Sequence, residues 1–190
     1  MERLKERIKT EGRVLGNEIL KVDSFLNHQM DPLLFEEIAE EFYREYKDCG
    51  VNKILTIEAS GIGVACMTGL KFKAPVLFAK KSRSRVSDKE SYSAEVESFT
   101  HGCRNTVFVS KRYLGPEDRV LVIDDFLANG EALRGLFEIC RLADAEVVGA
   151  GIVIEKAFQH GGDKLREEGH RICSLARIAS MSESEGVKFV

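Results

Sequence analysis

The chain has 190 residues and 44% hydrophobic composition, enough to bury a sizeable core in one domain spanning 1–190. Its formal charge of −3 argues against a general nucleic-acid binder, although a local basic patch stays open. Five scattered cysteines (Cys49, Cys66, Cys103, Cys140, Cys173) without CxxC spacing read as reduced thiols of a cytoplasmic chain, with no disulfide framework or zinc site. The charged start, MERLKERIKTEGR, and the lack of any apolar run near ~18 residues predict neither secretory signal nor membrane span.

In chain order, Leu4 and Ile8 mark a short amphipathic helix ending near Gly12. Asp31-Pro32 opens the next helix, with Asp as N-cap and Pro at the first helical position. Leu34, Ile38, Phe42 and Tyr46 then recur every four residues, and Cys49-Gly50 closes the helix. A strand at 53–58 leads into a small-residue loop, Ala59-Ser60-Gly61, and an apolar helix to Leu70; 75–79 is another short strand. The run KKSRSR (80–85) suits either a solvated surface or neutralisation of a polyanionic leaving group. Residues 86–97 are polar without a stable apolar period, which fits a water-excluding lid and a plain surface loop equally. Two extended segments follow between 94 and 110, around His101-Gly102. A strand at 146–155, a helix at 163–168 and a last strand at 171–175 complete the pattern.

Residues 120–132, VLVIDDFLANGEA, carry the most chemistry. Val120, Leu121, Val122 and Ile123 run without alternation, as a parallel strand buried on both faces does, and Asp124 and Asp125 sit where that strand should end. A short loop meets Asn129-Gly130, and a helix follows from Leu133 through Arg141. Ligands of open α/β sheets bind beyond the carboxyl ends of strands. N–H groups at a helix N-terminus favour phosphate, and Gly130 permits close approach. Paired acids beside a phosphate cradle suit a phosphorylated sugar, whose hydroxyls need acceptors. The loop Glu58-Ala-Ser-Gly-Ile-Gly63 occupies a similar junction one unit earlier; alone, such a turn is as readily structural as functional. In Glu155-Lys156-Ala157-Phe158-Gln159, the lysine can donate to a base carbonyl while the aromatic ring stacks on the base. The competing assignment is a surface lysine and a core phenylalanine. Strands alternating with helices predict an α/β fold with a doubly wound, mainly parallel sheet. Residues 1–30 fall outside the alternation and are expected to form a small hood, with the C-terminal segment a candidate addition.

The segment 120–132 resembles the phosphoribosyl pyrophosphate (PRPP) motif of type I phosphoribosyltransferases: four hydrophobic residues, two acids and a small loop for the 5′-phosphate. Asn129 and Ala132 stand where threonines are common, and the Asn129 amide still donates. LKVDSFLNHQMDPLL (20–34), TIEASGIG, MTGLK, GIVIEKAFQ and SLARI extend the likeness over nearly the whole chain. Together they are similar to the bacterial xanthine phosphoribosyltransferase family, which also carries the Asn-Gly-Xaa-Ala loop.

This resemblance implies transfer of 5-phosphoribose from PRPP to N9 of xanthine, giving xanthosine 5′-monophosphate and pyrophosphate. It assigns xanthine contacts to Leu20, Asn27 and Lys156, and PRPP contacts to Ala128, Asn129, Gly130, Glu131 and Ala132. Asp124 and Asp125 join the PRPP set and act electrostatically, holding ribose hydroxyls and facing oxocarbenium-like charge; no further catalytic side chain is expected. Mg²⁺ is expected as a cofactor carried mainly by PRPP, without a protein metal site. Lys156 suits the C6 carbonyl shared by xanthine, guanine and hypoxanthine and disfavours adenine. The Asn27 amide can flip to serve either group at C2, so it does not choose among them. The alternatives are a guanine/hypoxanthine phosphoribosyltransferase and a non-catalytic PRPP- and purine-sensing regulator. The regulator should carry an added DNA-binding helix-turn-helix and a basic face. The resemblance further implies a homodimer, with neither nucleic acid nor membrane as partner. His28 is assigned to hood packing, and Tyr43, Tyr46, His160 and His170 receive no role.

Overall fold

The computed structural model describes residues 1–81, 90–97 and 104–190. Leu4 and Ile8 are buried from helix α1 (Glu2–Glu11). The helix ends where Gly12 presses on its last turn; a Cβ there would lie 2.3 Å from the Ile8 carbonyl oxygen. Strands β1 (Arg13–Leu15) and β2 (Ile19–Lys21) form an antiparallel hairpin that turns through Gly16 at φ +62°. No alternating run announces this hairpin, since each strand has only three residues. Helix α2 (Pro32–Tyr46) starts as its cap predicts: the Asp31 side chain accepts from the N–H groups of Leu33 and Leu34 at 3.1 and 3.2 Å. The Arg7 guanidinium donates to the same carboxylate at 2.8 Å, which ties α1 to the cap. Leu34, Ile38, Phe42 and Tyr46 are all fully buried, as the four-residue spacing requires.

Strand β3 (Lys53–Ile57), helix α3 (Gly61–Phe72) and β4 (Val76–Ala79) make the first parallel unit. Strands β5 (Ser91–Glu97) and β6 (Arg104–Ser110) form a separate antiparallel pair. Strand β7 (Arg119–Leu127), helix α4 (Glu131–Leu142) and strand β8 (Glu146–Lys156) follow. Helix α5 (Gly161–Glu167), β9 (Ile172–Ser182) and β10 (Gly186–Phe189) end the chain. The main sheet has the order β10-β9-β8-β7-β3-β4, parallel except for the β9–β10 edge.

Both faces of this sheet are buried, which is why 120–123 is apolar without alternation. Leu121 and Ile123 enter a core with α1, α2 and the residues around Phe25. Val120 and Val122 enter a second core with Leu133, Leu136 and Ile139 of α4 and with Val96 and Val107 of the β5–β6 pair. No helix among the described residues is long and apolar enough to cross a membrane.

Three segments depart from the sequence reading. The acids do not end their strand: β7 continues through Leu127, paired with β8 as far as Leu127↔Glu155. Its pairing with β3 stops at Val122, so the acid-bearing half is open on the β3 side. The polar stretch 86–97 contains strand β5, the first of the two extended segments expected between 94 and 110. It starts already at Ser91, with Ala94 and Val96 alternating toward α4; residues 86–89, and 98–103 with His101-Gly102, lie outside the described residues. The last strand runs to Ser182 instead of ending at 175, because β10 folds back on it as an edge partner. Phe189 of β10 then lies under Lys5 and Lys9 of α1, 5.7 and 5.6 Å from their ammonium groups.

Candidate active site

The open half of β7, the loop after it and the loop after β3 enclose a cleft of about 200 Å³. Its walls include Asp124, Asp125 and Phe126, all of 128–132, and Glu58, Ser60 and Lys81. Every residue of the expected PRPP set therefore faces one space. Both acids are buried, at 4% and 7% exposure, and the Asp125 N–H donates to Asp124 Oδ1 at 3.0 Å. Burial first, then the Asp125 charge, pushes the Asp124 carboxyl well above the ordinary aspartate range. Two adjacent carboxylates at this depth hold one negative charge more readily than two.

Gly130 adopts φ +93° as the residue preceding α4, a conformation that L side chains rarely take. Asn129 Oδ1 accepts from the Glu131 N–H at 3.4 Å. The N-terminus of the 12-residue α4 opens on the cleft, which Glu131, Ala132 and Leu133 line, and the helix dipole there favours negative charge. On the opposite wall, the Glu58–Ala59 peptide is cis, and Glu58 accepts from the Lys81 N–H. A Cβ on Gly61 would sit 2.3 Å from Thr56 Oγ1 and 3.4 Å from Asp124 Oδ1. Glycine there is a matter of close approach: the loop lies directly on the acids. Of the basic run, Lys80 and Lys81 are described and Lys81 lines the cleft; residues 82–85 lie outside the described residues. Among the described residues, no group of three His, Cys, Asp or Glu side chains is placed to hold a metal ion. The four described cysteines are free thiols, and burial pushes Cys140 up to about 12 and Cys173 up to about 11.

The expected xanthine residues are arranged differently. Lys156 ends β8, donates to the Glu18 carbonyl at 2.6 Å and lies 5.7 Å over the Phe126 ring. Burial lowers its pKa from the ordinary lysine value. Phe126 also lines the cleft, so Lys156 stands at the edge of the PRPP-type site. Leu20 is buried in β2, two residues beyond Glu18, and Asn27 ends a π-helical turn over Asp23–Asn27. Neither belongs to the walls of the cleft. Asn27 Oδ1 is nevertheless buried without a hydrogen-bond partner, which leaves an amide acceptor for a ligand.

Three features escaped the sequence reading. Phe126 is the aromatic residue in the cleft wall, with its ring under Lys156, whereas Phe158 lines a separate depression with Asn17 and Met181. Glu155, fully buried beside Lys156, is held by Arg166 at 2.9 and 2.6 Å and by Arg177 at 3.1 Å. Burial alone would raise its pKa, but hydrogen bonds from Arg166 and Ser174 and both guanidinium charges hold it below the ordinary glutamate value. Gly161 sits against the phosphate-type loop, where a Cβ would lie 2.2 Å from the Ala128 carbonyl oxygen. Only Phe126 had a signal, its place between the acids and the loop; the other two arise from contacts between distant segments.

The fold recurs in solved structures. Adenine phosphoribosyltransferase from Giardia lamblia, complexed with 9-deazaadenine, superposes with a TM-score of 0.78 over 92% of this chain and 97% of that one, at 20% identity. At that identity the likeness concerns the fold. No family model matches the chain. Curated relatives are much nearer in sequence. The xanthine phosphoribosyltransferase of Ruminiclostridium cellulolyticum is 55% identical over 95% of both chains. That of Moorella thermoacetica is 54% identical over 96% of this chain and 93% of its own length. With such identity over nearly the full length of both partners, and with the acids and the glycine loop meeting in one cleft, this chain belongs to the xanthine phosphoribosyltransferase family.

Proposed function

We propose that this protein is a purine-salvage enzyme that transfers 5-phosphoribose from PRPP to N9 of xanthine, releasing pyrophosphate. One observation carries the reading. In a chain more than half identical to proteins named xanthine phosphoribosyltransferase, Asp124, Asp125 and loop 128–132 line one cleft, and Lys156 lies against its Phe126 wall.

In this reading the loop N–H groups from Ala128 to Ala132 and the α4 dipole bind the 5′-phosphate, with Gly130 letting the backbone come close. Asp124 and Asp125 accept from the ribose hydroxyls. As the C1–pyrophosphate bond breaks, positive charge grows on the ribose, and the buried negative charge of the pair stabilises it. Lys81 and the N–H groups beside Ser60 face the leaving pyrophosphate. Lys156 donates to the purine C6 carbonyl, exchanging its Glu18 contact for the base, and the Asn27 Nδ2 group donates to the C2 carbonyl. Leu20 supplies apolar contact from the N-terminal segment 1–30, which we read as a hood on a single domain. Asp124 and Asp125, with Glu58 and Glu131 also in the cleft wall, are oxygen donors of the kind that suits a hard cation whose other ligands would be substrate phosphates. Mg²⁺ carried by PRPP would neutralise pyrophosphate charge there.

The working unit is read as a homodimer, in which exposed Leu33 of α2 and Leu70 of α3 suit a shared apolar face, and the free thiols suit the cytoplasm. Light scattering at micromolar concentration checks the mass.

The deciding assay supplies PRPP, Mg²⁺ and one of xanthine, guanine, hypoxanthine or adenine, and compares kcat/KM from pyrophosphate release. Xanthine should be best and adenine worst. Adenine as the best substrate refutes the role of Lys156, and guanine as the best refutes the xanthine assignment. Absence of turnover with every base refutes the enzyme reading.

A further inference from the structure

Helix α5 and the residue before Lys156 form one connected unit behind the cleft. On one side α5 presses on the phosphate-type loop. A Cβ on Gly161 would meet Ala128 O at 2.2 Å, Asn129 C at 2.4 Å and Gly130 N at 2.6 Å, all backbone atoms that cannot swing away. Gly161 does not have positive φ, so its backbone tolerates any residue; glycine is required by the neighbour alone. Leu165, one turn on and fully buried, packs beneath Gly130: a Cβ on that glycine would lie 3.2 Å from Leu165 Cδ1.

On the other side, Arg166 of α5 grips Glu155 with two nitrogens, and Arg177 of β9 reaches both Glu155 and Asp163. Glu155 is wholly buried and Lys156 follows it directly. A buried carboxylate shared between two guanidinium groups costs desolvation and gives little net stability, whereas it fixes geometry well. The unit thus spans from the loop that takes a phosphate to the lysine that takes a base.

We propose that Gly161 and the Glu155–Arg166–Arg177 cluster are positioning residues that hold the loop 128–130 and Lys156 at a fixed separation, matched to the distance between 5′-phosphate and purine. The proposal rests on the phosphoribosyl-transfer reading above. Neither Gly161 nor Glu155 touches substrate in it. Small misplacements of two groups that must act together cost rate steeply, which gives such a brace its value.

Two single-methyl substitutions at the start of α5 separate positioning from general stability. In Gly161→Ala the new methyl strikes loop backbone. In Gly162→Ala it meets Glu155 Oε1 at 2.5 Å, Glu155 Cδ at 2.8 Å and Arg166 Nη1 at 2.9 Å, so it disturbs the ion-pair cluster instead of the loop backbone. Gly161→Ala should raise the PRPP KM by about tenfold or more, with the xanthine KM within about threefold. Gly162→Ala should do the reverse, raising the xanthine KM by about threefold or more and leaving the PRPP KM nearly unchanged. Glu155→Gln, which keeps shape and removes charge, should follow Gly162→Ala, and Glu155→Asp should not restore the wild-type value because its carboxylate falls short of the two arginines. If Gly161→Ala does not fold, Glu155→Gln and Gly162→Ala decide through the same split in KM. Wild-type KM values in these variants, or equal losses for both substrates in step with a falling Tm, overturn the proposal. A wild-type enzyme without any turnover overturns the reading beneath it instead, so the two failures are distinct.

Discussion

Lys156 Nζ donates to the main-chain carbonyl of Glu18 at 2.6 Å, across 138 residues of sequence. That bond brings the end of β8 against the β1–β2 hairpin and holds a partly desolvated ammonium over the Phe126 ring. Lys156→Gln keeps a donor but loses the charge. It should lower kcat/KM for xanthine about 100-fold, because a charge-assisted bond to the C6 carbonyl is replaced by a neutral one at poorer reach. It should also narrow the gap between xanthine and adenine, since Gln can accept as well as donate. Steady-state kinetics with both bases checks this; an unchanged ratio would remove Lys156 from base selection.

Gly130 and Asp125 should fail in different ways. Gly130→Val forces a branched side chain into φ +93° and against Leu165, displacing N–H groups aimed at the phosphate. The PRPP KM should rise by about tenfold or more. Asp125→Asn retains shape and removes charge facing the transition state, so kcat should fall by about 10- to 100-fold with a smaller change in KM. Initial-rate measurements over a PRPP titration distinguish the two, and wild-type kinetics in both variants would put the site elsewhere.

Asp124 should trade stability for function. Its folded-state pKa is raised by burial and by Asp125, above the ordinary value of 3.8. Between those two values the folded chain binds more protons than the unfolded one, so stability is lost as pH rises through that window. Asp124→Asn removes the ionisation. At pH 7 the variant should melt a few degrees above wild type, about 2–5 °C, with the difference vanishing once pH falls below about 3.8. Its kcat should drop. Thermal melts at the two pH values test the sign; a destabilised variant at pH 7 contradicts the burial argument.

Asp31 should show the opposite dependence. Arg7, then the N–H groups of Leu34 and Leu33, holds its pKa below 3.8 in the folded chain. Its contribution is therefore full above 3.8 and is lost as pH falls toward the depressed folded value. Asp31→Ala should cost about 1–2 kcal/mol at pH 7, the usual worth of an N-cap with an added charged partner. Urea melts at pH 7 and pH 3 check it: the deficit should shrink at the lower pH.

The sequence by itself determined those parts whose physics is local. Four mostly β-branched apolar residues without alternation suit a strand covered on both faces, and Val120–Ile123 divides between two cores accordingly. Asp31-Pro32 caps α2 because capping involves residues two and three positions away. A helix start preceded by a short loop is one contiguous word of sequence, so 128–132 and its adjoining acids were legible together, and they line one cleft. Tertiary structure decided what depends on pairing between distant segments. Whether β7 stops at its acids or passes them depends on which neighbour continues beside it, and β8 continues where β3 does not. The strand at 91–97 forms because β6 pairs with it and Gly135 of α4 admits Val96, facts absent from its own composition. The seat of Lys156 on Glu18, the burial of Glu155 between two arginines and the contact of Gly161 with Ala128 each join segments that the sequence separates. Such contacts have no periodic signature, because side-chain ion pairs and backbone close approaches are selected by the final geometry and leave no regular spacing behind.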